Sequence, residues 1–129
     1  TAPAITANTS PSITVNTGAF SQLQVLLPGE VADPGSATGK TAATPTNQPL
    51  NTNFTVIVNA VDSRFNVVTS ITESIALTSS AGANFTVTTP QSLVLGTRSF
   101  TNAQFTSAGT YTITATGTFV GVSASVTTP

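Results

Sequence analysis

The sequence predicts an all-β fold of two stacked sheets, and three observations carry that prediction. Apolar residues recur at every second position in short runs, and no stretch of useful length holds a helical period. Gly, Pro, Asn and Asp cluster between the runs, at about the spacing a sandwich needs between strands. Threonine supplies 27 and serine 14 of the 129 residues. β-branched side chains suit a pleated surface and lose rotamer freedom in a helix. A chain of this length holds one domain with a real core and is too short for two comfortable ones.

Taken in order, residues 1–16 read as a connector bearing an additional strand, SITVN (Ser12–Asn16), and residues 17–129 as the domain proper. FSQLQVLL (Phe20–Leu27) sets Leu23, Val25 and Leu27 on one face. Residues 28–50 hold Pro, Gly, Thr and Ala with no period; a structureless loop of that length is usually functional or mobile. NFTVIVNAV (Asn53–Val61) turns Phe54, Val56, Val58 and Ala60 inward. DSRFN (Asp62–Asn66) reads as a turn, because Asp and Asn bond their own backbone. VVTS (Val67–Ser70) reads as a short strand, and SIALTSS (Ser74–Ser80) alternates Ile75 and Leu77 with Ala76 and Thr78. NFTVTT (Asn84–Thr89) directs Phe85 and Val87 inward, and QSLVLG (Gln91–Gly96) leads into TRSFTNAQF (Thr97–Phe105). GTYTITATG (Gly109–Gly117) and VGVSASVT (Val120–Thr127) bring the total to seven or eight strands.

Composition excludes several classes of function. The net charge is −1 and only 5% of residues are charged, against about 25% in an ordinary globular chain. Neither nucleic acid nor an anionic membrane surface is invited electrostatically, and no apolar run is long enough for membrane insertion as a helix. Hydroxyls replace charges as the water-facing groups. There is no Cys and no His, so base-assisted nucleophiles are missing and an enzyme is not expected. The acids are Glu30, Asp33, Asp62 and Glu73, without the D-x-D-x-D spacing of a calcium loop. Asp62 is expected to hold a turn, Glu30 and Asp33 to be solvated, and the single Lys40 to be an exposed solubilising charge rather than a cross-linking partner. No catalytic residue, metal site or cofactor is assigned.

The most specific signal is SAGTYTITATG (Ser107–Gly117). In immunoglobulin-like sandwiches a tyrosine near the start of the sixth strand bonds back across the corner, and a core residue follows two positions later. Tyr111 and Ile113 occupy those two places, Gly109 makes the turn, and the interleaved threonines face water. Together LQVLLPGE, FTVIVNAVDSRFNVV, IALTSSAGANFTV and AGTYTITATG resemble the Ig-like repeats of large bacterial surface and adhesin-type proteins, related in pattern to invasin and filamin-like modules. The resemblance runs from about Phe20 to Thr127. It implies an immunoglobulin-like β-sandwich with Greek-key connections, held by Tyr111, Ile113, Val56 and Val58. It also implies an extracellular or cell-surface stalk module whose partners are identical neighbouring modules or subunits. The chain departs from the pattern in two places: SRFN fills a turn where such repeats often carry Gly, and one module does not explain the N-terminal strand.

That strand points to assembly. A lone SITVN leaves backbone groups unpaired unless a neighbour accepts it, and on a sheet edge Ile13 and Val15 would enter core slots. The opening stretch also resembles the far end, VGVSASVTTP, at an offset of 118: Pro11 falls on Pro129, Thr9 on Thr127, Ser10 on Thr128 and Ala4 on Val122, either as in a tandem repeat or by chance in a chain so rich in Thr and Ser. Residues 1–16 therefore either complete a preceding module or a neighbouring subunit, or supply this domain's own first strand. Head-to-tail contacts that do not close give filaments. A module that binds surface glycans, with calcium assisting, is the rival expectation; exposed Phe65 and Phe119 would serve it. Asn8, Asn53 and Asn84 each open an N-x-[ST] sequon, so a glycoprotein is a further expectation.

Overall fold

Alternating apolar side chains need a second layer to cover them, and the chain folds to supply it. A computed structural model of the protein describes residues 3–41, 44–119 and 122–128. Its strands are β1 (Gln22–Leu26), β2 (Phe54–Val61), β3 (Ser74–Ser79), β4 (Phe85–Thr86), β5 (Gln91–Ser92), β6 (Thr97–Phe105), β7 (Ile113–Phe119) and β8 (Val122–Thr128). They form two antiparallel sheets, ordered β1-β2-β6-β4 and β5-β3-β7-β8. A 3-10 turn at Gly82–Asn84 is the helical element among the described residues.

Both sheets feed one buried cluster. Leu23, Val25, Phe54, Val56, Val58 and Phe100 come from the first sheet, and Ile75, Leu77, Ile113 and Ala115 from the second. The period of two is visible in the exposure: Val56 and Val58 are sealed while Thr55 between Phe54 and Val56 faces water. In β7, Ile113 and Ala115 are buried and Thr116 and Thr118 are exposed. The threonines thus clothe the outer face. Phe100 at the centre is sealed from water, and truncating so large a buried ring costs about 3–5 kcal/mol.

Three segments differ from the sequence expectation. Val67–Ser70 is not a strand. Val67 makes one bridge to Val61, Val68 donates to the Ala60 carbonyl (2.8 Å), and the chain then turns at Ile71, whose amide bonds Val68. Asn84–Thr89 shrinks to β4, because side chains satisfy the backbone in place of a ladder: Asn102 Oδ1 accepts from the Thr88 amide and Thr89 Oγ1 from Leu77. Gln91–Gly96 shrinks to β5 and a two-residue hairpin turn at Leu95–Gly96. Both turn residues have positive φ, as a type I′ turn requires.

Residues 28–50 also form a built structure in the parts described. Ala32 bridges Lys40, the Asp33 amide bonds the Gly39 carbonyl (2.7 Å), and the Gly35 amide reaches Arg64 in the DSRFN turn (2.7 Å). The loop folds over the outer face of the first sheet. Gln24 and Asn59 point to that face and are nonetheless buried. Gln24 Nε2 donates to the Gly39 carbonyl (2.7 Å), Asn59 Nδ2 to Gln24 Oε1 (3.1 Å) and Thr97 Oγ1 to Asn59 Oδ1 (2.6 Å). This chain of amides satisfies groups that would otherwise be costly to bury. Gly39 must be glycine there: its φ is +73°, and a Cβ would lie 2.2 Å from the Phe65 ring.

Strand directions give the body two distinct poles. At one, the Gly18 amide bonds Asp62 Oδ2 (2.9 Å), the Ser21 amide bonds the Val61 carbonyl (2.9 Å), and Gln22 pairs with Val61. At the other, Phe85 pairs with Phe105, Ser79 with Ile113, and Ile113 with Thr128. These are called the Asp62 pole and the Tyr111 pole. The chain joins the body at the first and β8 leaves at the second. The eight residues of β2 span about 24 Å between them.

Candidate functional site

The Asp62 pole is organised by one carboxylate. Asp62 Oδ1 accepts from the amides of Arg64 (2.8 Å) and Asn66 (3.0 Å), and Oδ2 from Gly18 (2.9 Å). Burial acts to raise the Asp62 pKa, but the donors from Gly18, Asn66 and Arg64 outweigh it and hold the pKa at about 2. The turn expected at DSRFN therefore does more than reverse the chain. It anchors the point where the N-terminal segment joins the domain. Phe65 takes a positive φ of 66° and lies half-buried against the loop rather than exposed.

The N-terminal segment itself forms no ladder between residues 3 and 21. Ile5 is 97%, Ile13 82% and Val15 84% exposed. The isolated chain thus presents SITVN without a partner strand, apolar side chains outward.

The Tyr111 pole holds a half-open cleft of about 490 Å³. Phe54, Phe105, Leu27 and Ile113 line it on the core side, with Leu50 and Gln48 of the long loop across from them. Its aromatic wall is continuous: Phe54 stacks on Phe105 (5.5 Å between centroids) and Phe105 on Tyr111 (5.2 Å). Such contacts contribute about 0.5–1.5 kcal/mol each beyond the area they bury. The Tyr111 hydroxyl donates to the Ala108 carbonyl (3.1 Å), three residues upstream, which closes the corner. Gly109 sits under the ring, and a Cβ there would come within 2.7 Å of it.

The remaining sequence candidates are spread over the body. Val56, Val58 and Ile113 lie together in the core. Asn8, Asn53 and Asn84 are all exposed. Asn53 Oδ1 accepts from Gln104, and the Asn84 carbonyl from the Thr106 amide. Phe119 belongs to β7, and its side chain lies outside the described residues. Two expectations about charge are corrected. Glu30 is not solvated and Lys40 is not a free surface charge: Lys40 Nζ lies 2.9 Å from Glu30 Oε2, with side chains 21% and 8% exposed. Glu30 Oε2 also caps the Leu27 amide (2.8 Å), so the pair pins the start of the loop where β1 ends. Asp33 is exposed, as expected, and its backbone binds within the loop.

Sequence reasoning missed the cleft. Leu50 and Gln48 lie in a stretch without period, so no pattern marked them. Gln24 and Asn59 had a signal that went unused: Leu26 and Val61, on the same outer face, are apolar, as a covered face requires. No protein family, curated protein or solved structure matches the chain.

Proposed function

We propose that the protein is a structural, non-enzymatic Ig-like module of an extracellular stalk, adhesin or filament. One observation carries the reading: the chain joins a two-sheet body at the Asp62 pole and leaves it at the Tyr111 pole. Modules connected this way stack end to end. β1 and β8 both run from the Asp62 pole to the Tyr111 pole. Tension on the two ends is therefore directed along the strands, across ladder hydrogen bonds that lie perpendicular to it, and loads them together.

The immunoglobulin-like assignment has two supports. The sheets pair as A-B-E-D and C′-C-F-G if β1, β2, β3, β6, β7 and β8 are named A, B, C, E, F and G. Tyr111 closes its corner two positions before the buried Ile113, as the tyrosine corner of such sandwiches does. The short strands depart from the usual path: β4, on the β6 edge, precedes β5, on the β3 edge. A location outside the cell draws on the hydroxyl-clad, cysteine-free composition and the three exposed sequons. The aromatic wall of the cleft favours one rival, a glycan-binding module, since sugars stack on such faces.

Two copies joined in tandem and pulled by their ends distinguish the readings. A stalk module gives two separate, similar unfolding events and no saturable binding to a glycan panel. Smooth extension without discrete events, or saturable sugar binding, overturns the proposal.

A further inference from the structure

The hairpin turn that leads into β6 carries two costs that its own domain does not offset. Leu95 is the first residue of that turn, with φ at +49°. Turns of this type favour Asn, Asp or Gly there, because a bulky side chain strains the left-handed backbone. The same leucine is 67% exposed, beside Val94 at 58%. A strained residue held in place without a role in its own core points to a contact made elsewhere. The turn lies at the Asp62 pole: the Gly96 carbonyl accepts from the Ala60 amide (2.7 Å), and the Gly96 amide bonds the Ile71 carbonyl (3.1 Å).

Tip and cleft are the two ends of one strand. β6 starts at Thr97, just past the turn, and finishes at Phe105 in the cleft wall. Leu95 is therefore about 30 Å from Phe105 and cannot reach it within one copy. Stacking along the strand direction brings the tip of one copy to the cleft of the copy before it. The chain itself delivers that neighbour: β8 ends with Thr128 paired to Ile113, a cleft residue, and a following copy is joined to its body through Gly18 and Asp62. The two surfaces also match in chemistry. Phe54, Phe105, Tyr111 and Leu50 make the cleft apolar, and among the described residues no charged one lines it. Entry of Val94 and Leu95 thus desolvates no ion. The volume of about 490 Å³ lies within the roughly 300–1,000 Å³ of sites that enclose small ligands, room for two aliphatic side chains.

We propose that the cleft is the seat for the Val94–Leu95 hairpin tip of a second copy of the chain, with Leu95 as the anchor. The proposal rests on the stacked-module reading and names the contact that orders the stack. Leu50, 45% exposed in the single chain, is covered there. The joint is heterologous, since the donating and accepting surfaces differ, and its repetition gives an open filament. One hairpin tip buries far less than a free-standing interface does, so the contact forms between tethered copies, where the local concentration is about millimolar.

The chain carries its own reporter. Tyr111 is its single tyrosine, there is no tryptophan, and the ring lines the cleft. The test uses a two-copy chain, residues 1–129 followed directly by 1–129, with Tyr111→Phe in the second copy so that all tyrosine emission comes from the first. The segment between Thr128 of the first copy and Gly18 of the second can span about 60 Å, so the tether permits the contact without imposing it. Acrylamide quenching of the tyrosine is expected to fall below the value for the single chain. Leu95→Asn in the second copy is expected to restore it. Asparagine suits the left-handed turn, so the single chain with Leu95→Asn is expected to melt at the same temperature or higher. A lower melting temperature shows that Leu95 serves its own domain and overturns the inference. Equal quenching in the one-copy and two-copy chains overturns it too, as does protection that survives Leu95→Asn. Protection of Tyr111 by an oligosaccharide of the glycan panel but not by the junction overturns it in favour of a sugar site. Scattering on the same samples separates the two levels: an elongated pair with an unprotected tyrosine refutes the seat alone, and a folded-back pair refutes the stacking on which it rests.

Discussion

Gly109→Ala tests the Tyr111 corner from beneath. The new methyl would lie 2.7 Å from the ring, closer than van der Waals contact allows. The ring yields by leaving two contacts. One is the hydroxyl bond to Ala108, worth about 0.5–1.5 kcal/mol. The other is the stack on Phe105, worth a further 0.5–1.5 kcal/mol or so. The φ of Gly109 is not in the left-handed region, so alanine also stiffens the unfolded chain and returns about 0.4–1 kcal/mol. The net loss is then about 1 kcal/mol, or roughly 4 °C in melting temperature for a domain of this size. In a Tyr111→Ala background no ring remains to displace, and Gly109→Ala becomes neutral or slightly stabilising. Urea titration of the four chains reads the coupling as the non-additive part of the midpoint shifts, expected at about 1–3 kcal/mol. An equal effect of Gly109→Ala with and without the ring refutes the corner as an energetic unit.

The other predictions concern the two poles and the covered sheet face. The Asp62 pKa of about 2 lies below its ordinary 3.8, so the folded state favours the ionised carboxylate. Its contribution is complete above about pH 4 and is lost as the pH falls towards 2; Asp62→Asn should flatten that part of a stability–pH curve, and an unchanged slope contradicts the anchor. Asn59→Ala strands Gln24 Oε1 and the Thr97 hydroxyl and should cost about 1–3 kcal/mol by urea unfolding. A loss below about 0.5 kcal/mol would show that the long loop does not seal that face. Ile13→Asp with Val15→Asp should shift the single chain's stability by less than about 0.5 kcal/mol, because neither side chain is covered in it. A larger loss measured by thermal unfolding means the segment packs on its own domain.

The period of two made the strands and their inward faces legible, from Leu23 and Val25 to Ile113 and Ala115, because burial leaves its mark on alternate residues. The Tyr111 corner and the Asp62 turn were legible for a different reason: each is a local arrangement whose partners lie within four residues. Val67–Ser70 was misread as a strand because β propensity cannot distinguish a ladder from a chain that bonds Ala60 once and turns. The loop over Gln24 was unreadable in its own residues, since it is held by carbonyls, glycine geometry and a Glu30–Lys40 pair ten positions apart. Its trace lay elsewhere, in Leu26 and Val61 on the outer faces of β1 and β2. Half of the candidate site was likewise readable. SITVN stood out as an unpartnered strand, whereas the cleft exists only where the ends of β1, β2, β6 and β7 and the loop converge.

Small-angle scattering of the two-copy chain tests the stacked-module claim most directly. Poles at opposite ends predict a maximum dimension greater than that of the single chain by at least the roughly 24 Å length of β2. A pair whose longest dimension matches one copy, with the second folded alongside the first, contradicts it.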